Sequence, residues 1–144
     1  MEIDIKLLND FAKIPTRGSE DAAGWDLYAA TEKDIDIAPH STVKINTGIA
    51  IEIPKGCFGG IYARSGLATK QGLRPANCTG VIDADYRGEV IVALHNDTNE
   101  MQTIESGDRI AQLIVQPFME INFREVDDLT DTERNSNGFG STGI

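Results

Sequence analysis

Two aspartates, a phenol and a guanidinium fall within the decapeptide Gly80-Val81-Ile82-Asp83-Ala84-Asp85-Tyr86-Arg87-Gly88-Glu89. One apolar run enters this stretch, Val90-Ile91-Val92-Ala93-Leu94 leaves it, and turn-forming Asp and Gly lie between, so it reads as a β-hairpin. A tip that needs only turn formers but carries these groups points to a site held by two paired strands. The plain alternative is a solvated acidic turn.

Other segments could supply complementary chemistry. Arg64-Ser65-Gly66 offers a guanidinium, a hydroxyl and unobstructed backbone N–H groups at a potential helix start, a suitable cradle for an oligophosphate; the bland alternative is an ordinary helix start. Gly107-Asp108-Arg109-Ile110-Ala111-Gln112-Leu113 reads equally as a turn feeding a strand, and Asp26 as a solvent-facing strand residue. The glycine-rich end has the composition of a frayed terminus. Against that stands Phe139, an aromatic among glycines, suited to stacking on a planar ligand with Ser141 and Thr142 hydroxyls beside it.

The elements that must position these groups are strands. Alternation of apolar residues marks Ile3–Leu7, Trp25–Ala29 (with Asp26 and Tyr28 on the face opposite Trp25 and Leu27), Ile35–Ile37, Val43–Ile45 and Ile49–Ile53. Further strands are predicted over Ile61–Ala63, Met101–Glu105, Ile110–Val115 and Ile121–Val126, and one barely two-turn helix over Ser65–Gln71 before Gly72. Many short strands with almost no helix predict an all-β sandwich or jelly-roll-like barrel. Residues 1–126 form its core and the polar stretch 127–144 a tail.

Composition narrows the function classes. The chain of 144 residues carries a formal net charge of −10 and no Lys/Arg stripe, which disfavours a nucleic-acid polymer as partner. A small phosphorylated ligand is compatible, since local cations and a divalent metal outweigh a screened global field. There is no apolar run of membrane-spanning length and no secretory-type N-terminus, so the expectation is a cytoplasmic protein. Cys57 and Cys78 lack any CxxC or histidine spacing, and His40 and His95 are isolated, so free thiols and capping or surface imidazoles are expected.

Taken together and in order, these segments resemble the trimeric dUTP pyrophosphatases (dUTPases). Ala22-Ala23-Gly24-Trp25-Asp26-Leu27-Tyr28-Ala29 is similar to the family's first motif, Ala63-Arg64-Ser65-Gly66-Leu67-Ala68 to its second, Gly80–Glu89 to its third, Gly107–Ile114 to its fourth and Arg134–Gly143 to its fifth. The resemblance implies a β jelly-roll homotrimer whose active sites lie at subunit boundaries, each closed by a C-terminal tail from another subunit. It also implies Mg²⁺-assisted hydrolysis of dUTP to dUMP and pyrophosphate, which limits uracil in DNA and supplies dUMP for thymidylate synthesis.

By the same resemblance, Asp83 orients and deprotonates the water that attacks the α-phosphorus, and Tyr86 packs against the deoxyribose. Asn77, with backbone at Gly80, Val81 and Ile82 and with Ile91 lining the pocket, reads uracil. Arg64, Ser65, Gly66 and Gln112 contact phosphates, while Asp26 holds the metal through a coordinated water. From the tail, Arg134 pairs with the γ-phosphate and Phe139, Gly140 and Ser141 cover the nucleotide. The chain departs from the family pattern at Ala63, where proline is usual, and at Asn135 and Asn137, where glycines are common. Rival readings are a dCTP deaminase of related fold, against which the third and fifth motifs argue, and a dUTP-gated regulatory binding protein with a protein partner. Asp85 and Arg87 read as structural, bracing the tip through an ion pair or contacts to neighbouring chain.

Overall fold

A computed structural model describes residues 1–138, so the expected roles of Phe139, Gly140 and Ser141 lie outside the described residues. Eleven strands and one helix follow one another as β1 (Ile5–Leu7), β2 (Trp25–Tyr28), β3 (Ile35–Ile37), β4 (Thr42–Asn46), β5 (Ile49–Ile51), β6 (Cys57–Tyr62), α1 (Ser65–Gln71), β7 (Leu73–Pro75), β8 (Gly80–Ile82), β9 (Ile91–Asn96), β10 (Gln102–Ile104) and β11 (Arg109–Pro117). Two sheets dominate, with antiparallel orders β2-β11-β6-β8 and β4-β9-β7, and the pairs β1-β5 and β3-β10 complete an open sandwich. No helix among the described residues is long and apolar enough to cross a membrane.

Period-two alternation becomes a core because one side of each strand turns inward. Leu27, Ile61, Ile82, Ala111 and Leu113 from the first sheet meet Ile45, Leu73, Val92 and Leu94 from the second in one buried cluster. Asn96 is also wholly buried. Its amide Nδ2 donates to the Ile37 and Glu100 carbonyls (2.9 and 2.8 Å), and Oδ1 accepts from the Thr98 N–H and hydroxyl (2.9 and 2.8 Å), so its hydrogen-bonding capacity is used in full. Helix α1 packs Leu67 inward and stops at Gly72, whose φ of 64° suits a glycine cap.

Two expectations are corrected. The stretch around Asp83 is no hairpin: β8 pairs with β6 and β9 pairs with β4 and β7, so residues 83–90 cross from one sheet to the other. Alternation identifies a strand but not its partner, and only a connection of a few residues compels pairing. The expected strand over Ile121–Val126 is also absent, because nothing among the described residues pairs with it. Its side chains are uncovered, Phe123 94% and Ile121 65% exposed, and so are Met119 and Leu129 on either side. Apolar side chains of this number in one segment need a covering surface.

Candidate active site

The sheet β2-β11-β6-β8 carries a cleft near each edge. The cleft beside β8 is lined by Ile61, Asn77, Gly80, Val81, Ile82, Asp83, Tyr86, Glu89, Val90 and Ile91. That brings together the residues expected to meet base, sugar and attacking water. Gly80 pairs with Ile61, Val81 with Gly60 and Ile82 with Gly59, so β6 holds the strand that presents Asp83 at its end. Tyr86 N–H donates to the Asp83 carbonyl (3.1 Å), and the Tyr86 hydroxyl donates to the Glu89 carbonyl (2.9 Å). Arg87 donates to the Ala84 and Tyr86 carbonyls and pairs with Glu52 at 3.1 Å. Arg87 thus braces the connection as expected of a structural residue, with Glu52 rather than Asp85 as its ionic partner.

The second cleft gathers Gly18, Ala22, Ala23, Gly24, Asp26, Arg64, Ser65, Gly66, Arg109, Gln112 and Ile114. Register explains the convergence: Asp26 on β2 lies opposite Gln112 on β11, and Gln112 lies opposite Tyr62 on β6, two residues before Arg64. The Gln112 amide donates to the Ala63 carbonyl (2.8 Å), a contact that asks nothing of the side chain at position 63. Gly24 leaves room for this contact, because a Cβ on it would displace Gln112 Oε1. Ser65 and Gly66 begin α1, where backbone N–H groups have no helical acceptor, and the space over Gly66 is open.

Asp26 lies between two guanidiniums. Arg64 Nε donates to Oδ1 at 2.8 Å and Arg109 Nη1 to Oδ2 at 3.4 Å, while the carboxylate is only 14% exposed. The loop before β2 fixes it further: Asp26 N–H donates to the Thr16 carbonyl (2.7 Å), and Arg17 stacks over Trp25 with its guanidinium carbon 5.0 Å from the ring centroid. Among the described residues there is no cluster of three or more His, Cys, Asp or Glu. A single carboxylate in a cationic cleft does not form a protein cage for a metal; it fits one carried in on a polyphosphate with its water shell.

Sequence reasoning left out Arg109, whose side chain points into the second cleft, and Glu89, which lines the first. Both stand inside the stretches singled out above, and only the partners across the sheet distinguish them. Arg134 belongs to neither cleft of its own chain; its Nε donates to the Asn137 carbonyl (2.8 Å). Asn135 takes a φ of 42° and exchanges hydrogen bonds with Thr132 (2.8 and 3.0 Å), a left-handed conformation that asparagine tolerates better than most residues.

The two clefts share no residue. Pairing sets Asp83 one step beyond Ile82, which aligns with Gly59 and Val115, whereas Gln112 aligns with Tyr62. Two strand spacings across and four residues along separate Gln112 from Asp83 by roughly 16 Å. One chain therefore offers two halves of a polar site rather than one closed site.

An all-β sandwich with one cleft that carries Asn77, Asp83 and Tyr86 and a separate cationic cleft is suited to a small phosphorylated ligand. The sequence pattern of the family described as dUTPase matches residues 10–143. The chain is 46% identical over 142 residues to the deoxyuridine 5'-triphosphate nucleotidohydrolase of Ehrlichia canis, covering 97% of this chain and 93% of that one. Against the Rickettsia prowazekii protein of the same name it is 46% identical, with 100% and 98% covered. The solved dUTPase of Staphylococcus bacteriophage 80alpha with dUPNHPP superposes with a TM-score of 0.91 at 30% identity, covering 99% of both chains. A mutant dUTPase from phage phi11 of S. aureus, described with a structural Mg(II) ion, gives 0.81 at 25% identity over 89% of this chain and 98% of that one. The chain belongs to the dUTPase family.

Proposed function

We propose that the chain hydrolyses dUTP to dUMP and pyrophosphate, in sites assembled from two copies, with the nucleoside cleft of one facing the phosphate cleft of the next. The observation that carries this reading is the segregation of side chains, with Asn77, Asp83 and Tyr86 in one cleft and Arg64, Ser65, Arg109 and Gln112 in the other. A contact that joins unlike surfaces closes into a ring when the rotation allows it, and three copies is the number the family resemblance implies. The uncovered apolar side chains between Phe118 and Leu129 support such an assembly. Residues 1–126 act as the core and 127–144 as a tail reaching another subunit, where Arg134 meets the γ-phosphate and Phe139, Gly140 and Ser141 close over the nucleotide.

Asn77 and the backbone of Gly80, Val81 and Ile82 read the uracil edge, and Ile91 forms a wall. Tyr86 fills the space a 2′-hydroxyl would need. Arg64, Ser65, Gly66 and Gln112 hold the phosphates, and Arg109, beside Asp26, joins them. Asp26 would hold the water shell of a Mg²⁺ ion carried in on the substrate, and that ion would supply neutralisation of the triphosphate charge. Asp83 orients the attacking water and accepts its proton as the oxygen approaches the α-phosphorus; pyrophosphate leaves on the opposite side.

The test is pyrophosphate release from dUTP, dTTP, dCTP and UTP, with ammonia release from dCTP measured in parallel. We expect a preference for dUTP and a fall of about 10² to 10⁴ in kcat for Asp83→Asn. Equal rates on all four nucleotides, or an unimpaired variant, would refute the reading.

A further inference from the structure

Tyr86 has its position dictated by backbone that a residue outside the assigned machinery holds in place. Its hydroxyl donates to the Glu89 carbonyl (2.9 Å). Its ring lies against Gly88, where a Cβ would come within 2.6 Å of the ring Cζ. The ring therefore follows wherever residues 88 and 89 go.

That backbone is clamped to the end of β4, the neighbour of β9 in its own sheet, and to the turn that follows it. One carboxylate oxygen of Glu89 accepts the Gly48 N–H (2.8 Å) and the other accepts the Asn46 amide (2.7 Å). Val90 N–H donates to the Ile49 carbonyl (2.8 Å) beside it. The turn that receives Glu89 has little freedom. Gly48 has a φ of 66°, and a Cβ there would meet Ala12 at 2.8 Å and Ala30 at 3.0 Å. The Gly48 and Asn46 carbonyls are themselves engaged by the Leu8 and Ala30 N–H groups (2.7 and 2.8 Å). Although Glu89 lines the nucleoside cleft, both of its carboxylate oxygens are committed to Asn46 at the end of β4 and to the turn after it.

We propose that Glu89 is a positioning residue for Tyr86: by tying the sheet-to-sheet connection to the turn between β4 and β5, it sets discrimination against a sugar 2′-hydroxyl. The proposal rests on the dUTP-hydrolysing reading above. Loss of the clamp lets residues 88 and 89 retreat, the ring follows, and room for a ribose appears. The base-reading strand β8 is unaffected, since β6 holds it independently.

The experiment compares kcat/KM ratios, dUTP over UTP and dUTP over dTTP, for wild type, Asn46→Ala, Glu89→Gln and Glu89→Ala. Asn46 is solvent-exposed and lines neither cleft. We expect the dUTP/UTP ratio to fall about threefold in Asn46→Ala and at least about tenfold in Glu89→Ala, with Glu89→Gln between because its amide oxygen still accepts the Gly48 N–H. The dUTP/dTTP ratio stays constant. An unchanged dUTP/UTP ratio in Asn46→Ala alongside a lower one in Glu89→Ala overturns the proposal in favour of direct contact, and a parallel fall in both ratios overturns it in favour of general loosening. If Glu89→Ala does not fold, Asn46→Ala and Glu89→Gln carry the test. A wild type without preference for dUTP over UTP brings down the functional reading itself, a result distinct from either.

Discussion

Replacing Asp26 with Asn should move two observables in opposite directions. Asp26 holds the Arg64 and Arg109 guanidiniums at 2.8 and 3.4 Å, and both arginines are partly exposed, at 27% and 51%. At the effective dielectric of such a site each pair has a gross attraction of about 4 kcal/mol. Solvent screening and the desolvation already expended leave a net of about 1–2 kcal/mol for the two together. Asn preserves the shape but leaves two cations facing one another. Thermal unfolding at fixed protein concentration should therefore occur about 3–6 °C lower. Pyrophosphate in the presence of EDTA should bind the variant about three- to tenfold more tightly than wild type, because the anion no longer competes with the carboxylate for the arginines. With Mg²⁺ present, dUTP turnover should fall instead, since the same carboxylate is assigned to the metal's water shell. Calorimetric titration of pyrophosphate and a coupled assay read the two arms. Pyrophosphate bound no more tightly by Asp26→Asn without metal would show that the arginines are not held in reserve by Asp26.

Gly24→Ala places a methyl group against Gln112 Oε1, so Gln112 should leave the Ala63 carbonyl; we expect kcat/KM for dUTP to drop about tenfold with little change in far-UV dichroism. Asp97 accepts two hydrogen bonds from Arg74 (2.7 and 3.0 Å), and these bonds hold its carboxyl below the ordinary carboxylate range. A depressed folded-state pKa means the stabilisation is complete above the ordinary carboxylate pKa and is lost as pH falls through the folded one. Asp97→Asn should thus unfold at a lower temperature than wild type near pH 7, and the two melting curves should converge below about pH 4.

Most strands were legible because period-two alternation is the direct imprint of a half-buried sheet, as at Ile35–Ile37 and Ile49–Ile51. The helix over Ser65–Gln71 was equally clear from its flanking glycine. What alternation does not encode is pairing: Val90–Leu94 looked like the return arm of a hairpin, yet its hydrogen bonds go to β4 and β7. The apolar run Ile121–Val126 shows the same limit, since its side chains find no covering partner among the described residues. Site chemistry was legible where residue types are unusual for their setting, as with Asp83 and Tyr86 on a turn. Arg109 and Glu89 escaped because a charged residue beside a turn is common, and only their partners Asp26 and Gly48 mark them out.

The division of the site between two clefts of one chain also has a genetic consequence. A chain lacking Asp83 and a chain lacking Arg64 are damaged in different halves. Each is defective alone, but under random assortment an intact nucleoside half would meet an intact phosphate half at about one boundary in four, counted over all rings. Two defective alleles would then complement one another in the same cell, whereas two alleles damaged in the same cleft would not.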